Sequence, residues 1–202
     1  MSVPNTSFMS EESTVKHFFV SGLPRSRTAW LANFLTTDKS LCFHDGLKYC
    51  RKVEDLTEVF KRSDKEFVGD SDSALVLFYH RIQALFPDSP WVLVYRNFKD
   101  CADSALRLSF AGEDTESILI DGAARLAVIR LAELELKSPN VLIVDYDELD
   151  NSKVIRSIVN HVTPGVLFDE ERFKLLDGLH TQIHESKYLV SVAEGLTSTI
   201  ND

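Results

Sequence analysis

Residues 17–30 read His17-Phe18-Phe19-Val20-Ser21-Gly22-Leu23-Pro24-Arg25-Ser26-Arg27-Thr28-Ala29-Trp30. The apolar run at 17–21 predicts a strand, and the glycine and proline that follow it predict a loop. Beyond the loop, Leu31, Phe34 and Leu35 recur at the spacing of one helix face. The sequence therefore predicts a strand that leads through a polar loop into the N-terminus of a helix.

The same alternation of strands and helices continues along the chain. Further strands are predicted at 41–44, 67–69, 91–95 and 141–144, and helices at 53–60, 74–86, 99–108, 116–137, 153–162 and 170–176. Such alternation is typical of an α/β fold in which helices cover both faces of a parallel sheet. We expect one domain at 17–180, preceded by a flexible segment at 1–16 and followed by a polar tail at 181–202.

Composition and charge restrict the class of protein. Of the 202 residues, 44% are hydrophobic and 26% are charged, which is typical of globular rather than disordered chains. The 22 basic and 31 acidic side chains give a net charge of −9, which would repel nucleic acids and anionic membranes. No apolar run approaches the about 20 residues of a membrane span. The polar N-terminus does not resemble a secretory signal. The small, odd number of cysteines (Cys42, Cys50 and Cys101) indicates reduced thiols rather than disulfides. We therefore expect a cytoplasmic protein without nucleic-acid or membrane partners.

The loop at 22–28 lies where free backbone N–H groups and the helix dipole favour an anion. It departs from the nucleotide-binding pattern G-x-x-x-x-G-K-[ST], because Arg27, Thr28 and Ala29 occupy the positions of the second glycine, the lysine and the hydroxyl residue. A motor driven by ATP or GTP is therefore disfavoured. The alternative interpretation is structural, with Ser26 or Thr28 capping the helix and the arginines on a solvated turn.

A second candidate anion site follows the predicted strand at 91–95. Arg96 stands at the end of this strand, and Ser104 comes eight residues later in the next predicted helix. A forked guanidinium and a hydroxyl at this spacing can both turn toward one phosphate. The alternative for Arg96 is a salt bridge to Asp100 or Asp103, which is worth little if exposed.

Together the two segments resemble the sulfotransferase superfamily. The family's P-[KR]-S-G-T-[TS] loop is similar to Pro24-Arg25-Ser26-Arg27-Thr28-Ala29, and its R-N-P-x-D-x-x-x-S segment is similar to Arg96-Asn97-Phe98-Lys99-Asp100 through Ser104. The stretch at 144–149 also resembles the family's Y-E-D-L segment, so that the likeness covers residues 17–176. The resemblance implies a P-loop-type fold and the transfer of a sulfuryl group from 3′-phosphoadenosine 5′-phosphosulfate (PAPS).

The resemblance also implies a role for each motif residue. The loop residues would bind the 5′-phosphosulfate of PAPS, namely Arg25, Ser26, Arg27, Thr28 and Ala29. Arg96 and Ser104 would bind its 3′-phosphate. No metal is required, because fixed cations and backbone amides can stabilise the charge that develops on the bridging oxygen. Arg25 is the expected stabiliser.

The catalytic base is predicted at one of two places. His44 and Asp45 end the second predicted strand, where the tyrosylprotein branch of the family has a glutamate. Asp72 follows the third strand, where the cytosolic branch has a histidine. We expect His44 or Asp45 first, since the alternative for Asp72 is a helix cap. The acceptor would be a hydroxyl or amine of a small molecule, a carbohydrate or a peptide.

Two further groups of side chains and two alternative functions also have to be considered. Lys48, Arg51 and Lys52 either attract an anionic acceptor or begin a solvated helix. His180 and His184 could share a helix face that suits zinc, but no third ligand stands at motif spacing, so no metal is expected. The alternatives to a sulfotransferase are a P-loop nucleotide kinase or NTPase, and a non-catalytic relative that keeps the anion sites.

Overall fold

The strands of the protein form a parallel sheet. The computed structural model describes residues 15–97, 99–101, 104, 127, 130–132, 134 and 140–177. Five strands lie within this part of the chain: β1 (Lys16–Gly22), β2 (Ser40–His44), β3 (Phe67–Ser71), β4 (Trp91–Tyr95) and β5 (Val141–Asp145). They pair in the order β2-β3-β1-β4-β5, and every pairing is parallel. The predicted α/β fold with a parallel sheet is confirmed.

The helices connect these strands. They are α1 (Thr28–Leu35), α2 (Leu56–Phe60), α3 (Tyr79–Leu85), α4 (Ser152–Val162) and α5 (Glu170–Asp177). Short 3-10 segments occur at Gly46–Tyr49, Val53–Asp55, Leu75–Phe78 and Tyr146–Glu148. The predicted helix at 116–137 is described at residues 127, 130–132 and 134, all of them helical. Residues 1–14 and 178–202 lie outside the described residues, and they include most of the predicted flexible segment at 1–16 and all of the predicted tail at 181–202.

In two of the predicted helices the first turn is wound more tightly than in an α-helix. The segments at 53–60 and 74–86 start as 3-10 turns before they become α-helical. The carboxylate of Asp72 accepts a hydrogen bond from the Ala74 N–H at 2.7 Å, and its carbonyl accepts one from the Leu75 N–H at 3.4 Å. Asp55 accepts bonds from two backbone N–H groups just before α2. These local bonds satisfy donors that a regular first turn leaves open, so they favour the tighter geometry.

Helices cover both faces of the sheet, as predicted. On one face Phe18, Val20 and Val94 pack against buried residues of α1, α4 and α5. On the other face Phe19 and Leu93 pack against α2, α3 and the helical residues 127, 131 and 134. Strands that are buried on both sides explain the continuous apolar runs in the sequence, because side chains alternate between the faces.

The strand order creates a crevice beside β1. The chain leaves β1 through α1 toward β2 on one side, and it leaves β4 toward β5 on the other side. The two connections lie on opposite faces of the sheet, since α1 packs in one core cluster and residues 127, 131 and 134 pack in the other. Loops that part in this way open a ligand crevice at the carboxyl ends of the strands. The crevice therefore lies between the loops that follow β1 and β4.

Among the described residues, no helix combines the length and the apolar character needed to cross a membrane. The three cysteines Cys42, Cys50 and Cys101 are free thiols, as expected from their number and spacing. Burial raises the pKa of the Cys42 thiol, and burial with nearby Asp55 and Asp70 raises that of Cys50 to about 11. These thiols are therefore poor nucleophiles at neutral pH.

Candidate functional site

The loops after β1 and β4 border the crevice and contact each other at the carboxyl edge of the sheet. Arg25 Nε donates a hydrogen bond to Ser104 Oγ at 3.2 Å. Arg96 Nη1 donates one to the backbone carbonyl of Arg25. Arg25 itself has a left-handed backbone, with φ of 72°, which turns the loop back over the strand ends. Residues from two segments that are distant in the chain thus share one site at the carboxyl edge of the sheet.

Among the described residues, no carboxylate balances the charge of this site. Within the described part of the chain, neither Arg25 nor Arg96 forms an ion pair with a carboxylate, and Arg96 does not pair with Asp100. Asp103 lies outside the described residues. Burial lowers the pKa of Arg25, and the neighbouring Arg96 guanidinium lowers it further. Two adjacent cations without a countercharge are suited to bind an anion.

The ring of Tyr146 lies against the guanidinium groups of Arg96 and Arg27. It begins the 3-10 segment after β5, the strand next to β4. The Arg96 guanidinium lies 4.0 Å from the centroid of the Tyr146 ring, and the Arg27 guanidinium lies 5.7 Å from it. Stacking on an aromatic face restricts a guanidinium while its N–H groups stay free to bind. Sequence reasoning gave Tyr146 no role, although its place just after a predicted strand was a usable signal.

Arg27 turns away from the two other arginines. It forms an ion pair with Asp150 and a second with Asp177 at 3.7 Å, so it joins the loop to segments after β5. Its backbone is left-handed, with φ of 59° and ψ of 24°, at the N-cap of α1. No side chain caps this helix, so the alternative in which Ser26 or Thr28 does so is wrong. The family pattern has glycine at this position, which suits a left-handed conformation.

We expect Arg27→Gly to be more stable than Arg27→Ala by about 1 kcal/mol. Both changes remove the ion pairs with Asp150 and Asp177, but only glycine relieves the left-handed backbone. Urea unfolding of the two variants at pH 7 and equal salt measures the difference. Equal stabilities, or a more stable alanine variant, would contradict this account of the loop.

The other loop residues line the start of α1. Ser26 is fully buried, and its hydroxyl makes no hydrogen bond of ordinary geometry among the described residues. Burial raises the pKa of nearby Cys101, while Arg96 and the Ser26 hydroxyl oppose this rise. Thr28 and Ala29 form the half-buried first turn, where Ser71 Oγ donates to the Thr28 carbonyl at 2.8 Å. N–H groups of a first helical turn have no partner within the helix, so an anion could accept bonds from them.

The candidate bases lie on the β2 side of the crevice. His44 Nε2 lies 3.3 Å from Asp45 Oδ1, and the side chains of the two residues are 22% and 6% exposed. Asp45 has a left-handed backbone, with φ of 56°, which returns the chain toward the sheet. Because β3 lies between β2 and β1, this pair is displaced from the Arg25 loop by about 10 Å, two strand spacings. The structure therefore does not bring His44 and Asp45 against the arginines.

Asp72 lies closer to the Arg25 loop, but its polar groups form hydrogen bonds within the surrounding structure. Its N–H donates to the Val20 carbonyl at 3.0 Å, and its carbonyl accepts from Ser21 Oγ at 2.8 Å. Its carboxylate bonds to the Ala74 N–H, and the whole residue is buried. This arrangement matches the helix-cap alternative for Asp72.

Asp70 is a buried acid that sequence reasoning missed. Its Oδ1 accepts a hydrogen bond from the Gly46 N–H at 2.9 Å, and its Oδ2 has no hydrogen bond among the described residues. Burial raises its pKa well above the usual value, and the neighbouring Asp72 charge adds to this rise. A Cβ on Gly46 would lie 2.5 Å from Oδ2, so any other residue there would displace the Asp70 carboxylate. An acid two residues before Asp72, continuing a buried strand, was the available signal.

Two cavities of the described part lie at the opposite edge of the sheet. One of about 310 Å³ is lined by Thr37, Lys39 and residues 165–169. The other, of about 670 Å³, is lined by Lys16, Pro90 and residues that precede β1 and β4. They lie at the amino ends of the strands, so neither belongs to the arginine site.

The described residues contain no cluster of three or more His, Cys, Asp or Glu side chains that could hold a metal ion. His180 and His184, the pair considered for zinc, lie outside them. No protein-family model matches the chain, and no curated protein matches it significantly. The functional interpretation therefore depends on the charge and geometry of the crevice.

Proposed function

We propose that the protein is a sulfotransferase with a P-loop-type fold, which transfers a sulfuryl group from PAPS to a hydroxyl or amine. The observation that supports this most is the meeting of Arg25, Arg96 and Ser104 at the carboxyl ends of β1 and β4. The two segments that carry these residues are those that resemble the family. Both arginines lack a carboxylate partner in the described part of the chain, which leaves them available to bind the anionic groups of a nucleotide.

In this proposal the two arginines hold different ends of one donor. Arg96 and Ser104 bind the 3′-phosphate, and Tyr146 fixes the plane of the Arg96 guanidinium. Arg25, Ser26 and the N–H groups of the first turn of α1, at Thr28 and Ala29, bind the 5′-phosphosulfate. The hydrogen bond from Arg25 to Ser104 joins two donors, both of which can turn to anionic oxygens when a nucleotide enters.

The transfer then follows from charge stabilisation. The acceptor oxygen or nitrogen forms a bond to sulfur while the bond between sulfur and the bridging phosphate oxygen breaks. The acceptor proton goes to a base, and adenosine 3′,5′-bisphosphate leaves with the new negative charge. Arg25 stabilises that charge on the bridging oxygen, so the reaction needs no metal.

His44 with Asp45 is the better candidate for the base. The imidazole is partly exposed, and the Asp45 carboxylate 3.3 Å away can orient it. Asp72 is fully buried, with its carboxylate on a backbone N–H. The sulfuryl group would lie over the end of β3, between the base and the arginines.

Calorimetric titration of the whole protein tests the proposal. We expect adenosine 3′,5′-bisphosphate to bind at micromolar concentration without magnesium, and adenosine 5′-monophosphate to bind at least about 10-fold more weakly, because it lacks the group for Arg96. Magnesium-dependent binding of ATP without binding of the bisphosphate would instead indicate a nucleotide kinase or NTPase. Bisphosphate binding without turnover of PAPS on phenolic, sugar or peptide acceptors would indicate a non-catalytic relative.

A further inference from the structure

A compact group of exposed cations follows β2. Lys48, Arg51 and Lys52 are exposed, and Tyr49 between them has 63% of its surface exposed. The Lys48 ammonium lies 5.3 Å from the centroid of the Tyr49 ring. We call these four residues the basic platform. They follow the His44–Asp45 pair, at the carboxyl edge of the sheet.

The cations of the basic platform form no ion pair with any described residue. Among the described residues, no carboxylate forms an ion pair with any of the three. Four exposed cations elsewhere do form ion pairs, namely Lys16–Glu66, Lys61–Glu58, Arg81–Glu54 and Arg156–Glu170. In a chain with a net charge of −9, an unpaired cluster of one sign creates a local field opposite to that of the whole protein.

The backbone under the platform is fixed at both ends. At one end the Gly46 N–H donates to buried Asp70 at 2.9 Å. At the other end Asp55 Oδ2 accepts from the N–H groups of Arg51 and Lys52, at 3.0 and 3.3 Å. A ligand would therefore order only side chains and not the backbone, which lowers the entropy cost of binding.

We propose that the basic platform docks an acidic segment of a partner protein. The Arg51 guanidinium suits bidentate contact with carboxylates, and the lysines add point charges on either side. The Tyr49 ring offers an apolar surface that an apolar side chain between two acidic residues can cover. A peptide has such side chains, whereas an acidic polysaccharide such as a polyuronate has none. A densely charged polyanion is also repelled by the rest of a −9 protein, whereas a short peptide with few carboxylates meets mainly the local field.

This inference is independent of the proposed sulfotransferase activity, because none of the four residues belongs to the proposed donor site. The probe is a fluorescein-labelled peptide of alternating glutamate and leucine, measured by anisotropy with the full chain at 50 and 300 mM NaCl. The triple variant K48Q/R51Q/K52Q is compared with K61Q/R62Q/K65Q. The control removes two lysines and one arginine within five residues near the amino end of β3. Thermal melting of each variant checks that it is folded.

We expect the K48Q/R51Q/K52Q variant to lose at least about 10-fold in peptide affinity, and the control to change by less than about 2-fold. The wild-type affinity should fall as salt rises, and the matching glutamine–leucine peptide should bind at least about 10-fold more weakly. Equal losses in both triple variants, or equal binding of the glutamine peptide, would overturn the proposal. So would tighter platform-dependent binding of a polyuronate or of phosphatidylserine vesicles, or self-association that depends on the platform.

Discussion

Arg96→Ala should lower the affinity for adenosine 3′,5′-bisphosphate by about 100-fold, which corresponds to about 2.7 kcal/mol and is within the range for a charged hydrogen-bond donor. The Arg96 guanidinium is oriented by the Tyr146 ring and has no carboxylate partner among the described residues. Its loss therefore removes a free cation rather than half of a salt bridge. It also removes a repulsive neighbour that lowers the pKa of Arg25. Stability should change by less than about 1 kcal/mol.

Arg156→Ala is a matched control for this experiment. Arg156 lies in α4 and pairs with Glu170 at 3.4 Å, so its loss should leave nucleotide affinity unchanged. Arg96→Lys keeps the positive charge but loses the two-pronged hydrogen bonding of the guanidinium and its stacking on Tyr146. The affinity of this variant for the bisphosphate should therefore lie between those of the wild type and Arg96→Ala. Titration calorimetry measures all three variants. An Arg96→Ala variant that binds the bisphosphate as wild type does would remove Arg96 from the site.

Asp70→Asn should stabilise the protein at pH 8 by about 1 kcal/mol or more, because one pKa unit of displacement equals 1.36 kcal/mol. Burial and the nearby Asp72 carboxylate raise the pKa of Asp70 well above its ordinary value. The folded protein therefore holds a proton that the unfolded chain has released, so stability falls as the pH rises from about 4 toward the folded pKa. Asparagine is neutral at every pH and removes this loss.

The amide keeps the contact that Asp70 makes. An asparagine oxygen can accept the hydrogen bond from the Gly46 N–H, now 2.9 Å long, and its amino group can face the Asp72 carboxylate. Asp70→Ala leaves the Gly46 donor unsatisfied and should destabilise the protein by about 1–3 kcal/mol. Urea unfolding at pH 5 and pH 8 measures both variants. If Asp70→Asn destabilises the protein at pH 8 as much as Asp70→Ala does, the ionised carboxylate is the stabilising form.

The groups around Asp70 limit this effect. The N–H groups of Gly46 and Ser71 and the Lys48 ammonium lower its pKa and so oppose the rise. Burial is the largest cause, and it does not depend on salt, whereas the Lys48 contribution is screened. The gain in stability from Asp70→Asn should therefore persist in 0.3 M NaCl.

Much of the fold could be predicted from local sequence. The apolar runs at 17–21 and 91–95 became β1 and β4, because a strand buried on both faces has to be apolar throughout. The extra length of β3 was missed, since Asp70 and Ser71 are polar residues inside a buried strand. Their burial depends on partners from other segments, the Gly46 N–H and the Thr28 carbonyl.

The α/β class and the polar loops after β1 and β4 could be predicted from the chain alone, because hydrophobic period and turn residues act over short distances. Which of these loops contact each other depends on how the strands pair. The strand order places β1 beside β4 and separates His44 and Asp45 from them by β3. It also gives Arg27 its acidic partners, places Tyr146 beneath Arg96 and brings the Gly46 N–H to buried Asp70. These are contacts between residues far apart in the chain, and strand pairing, which local sequence patterns do not encode, fixes them.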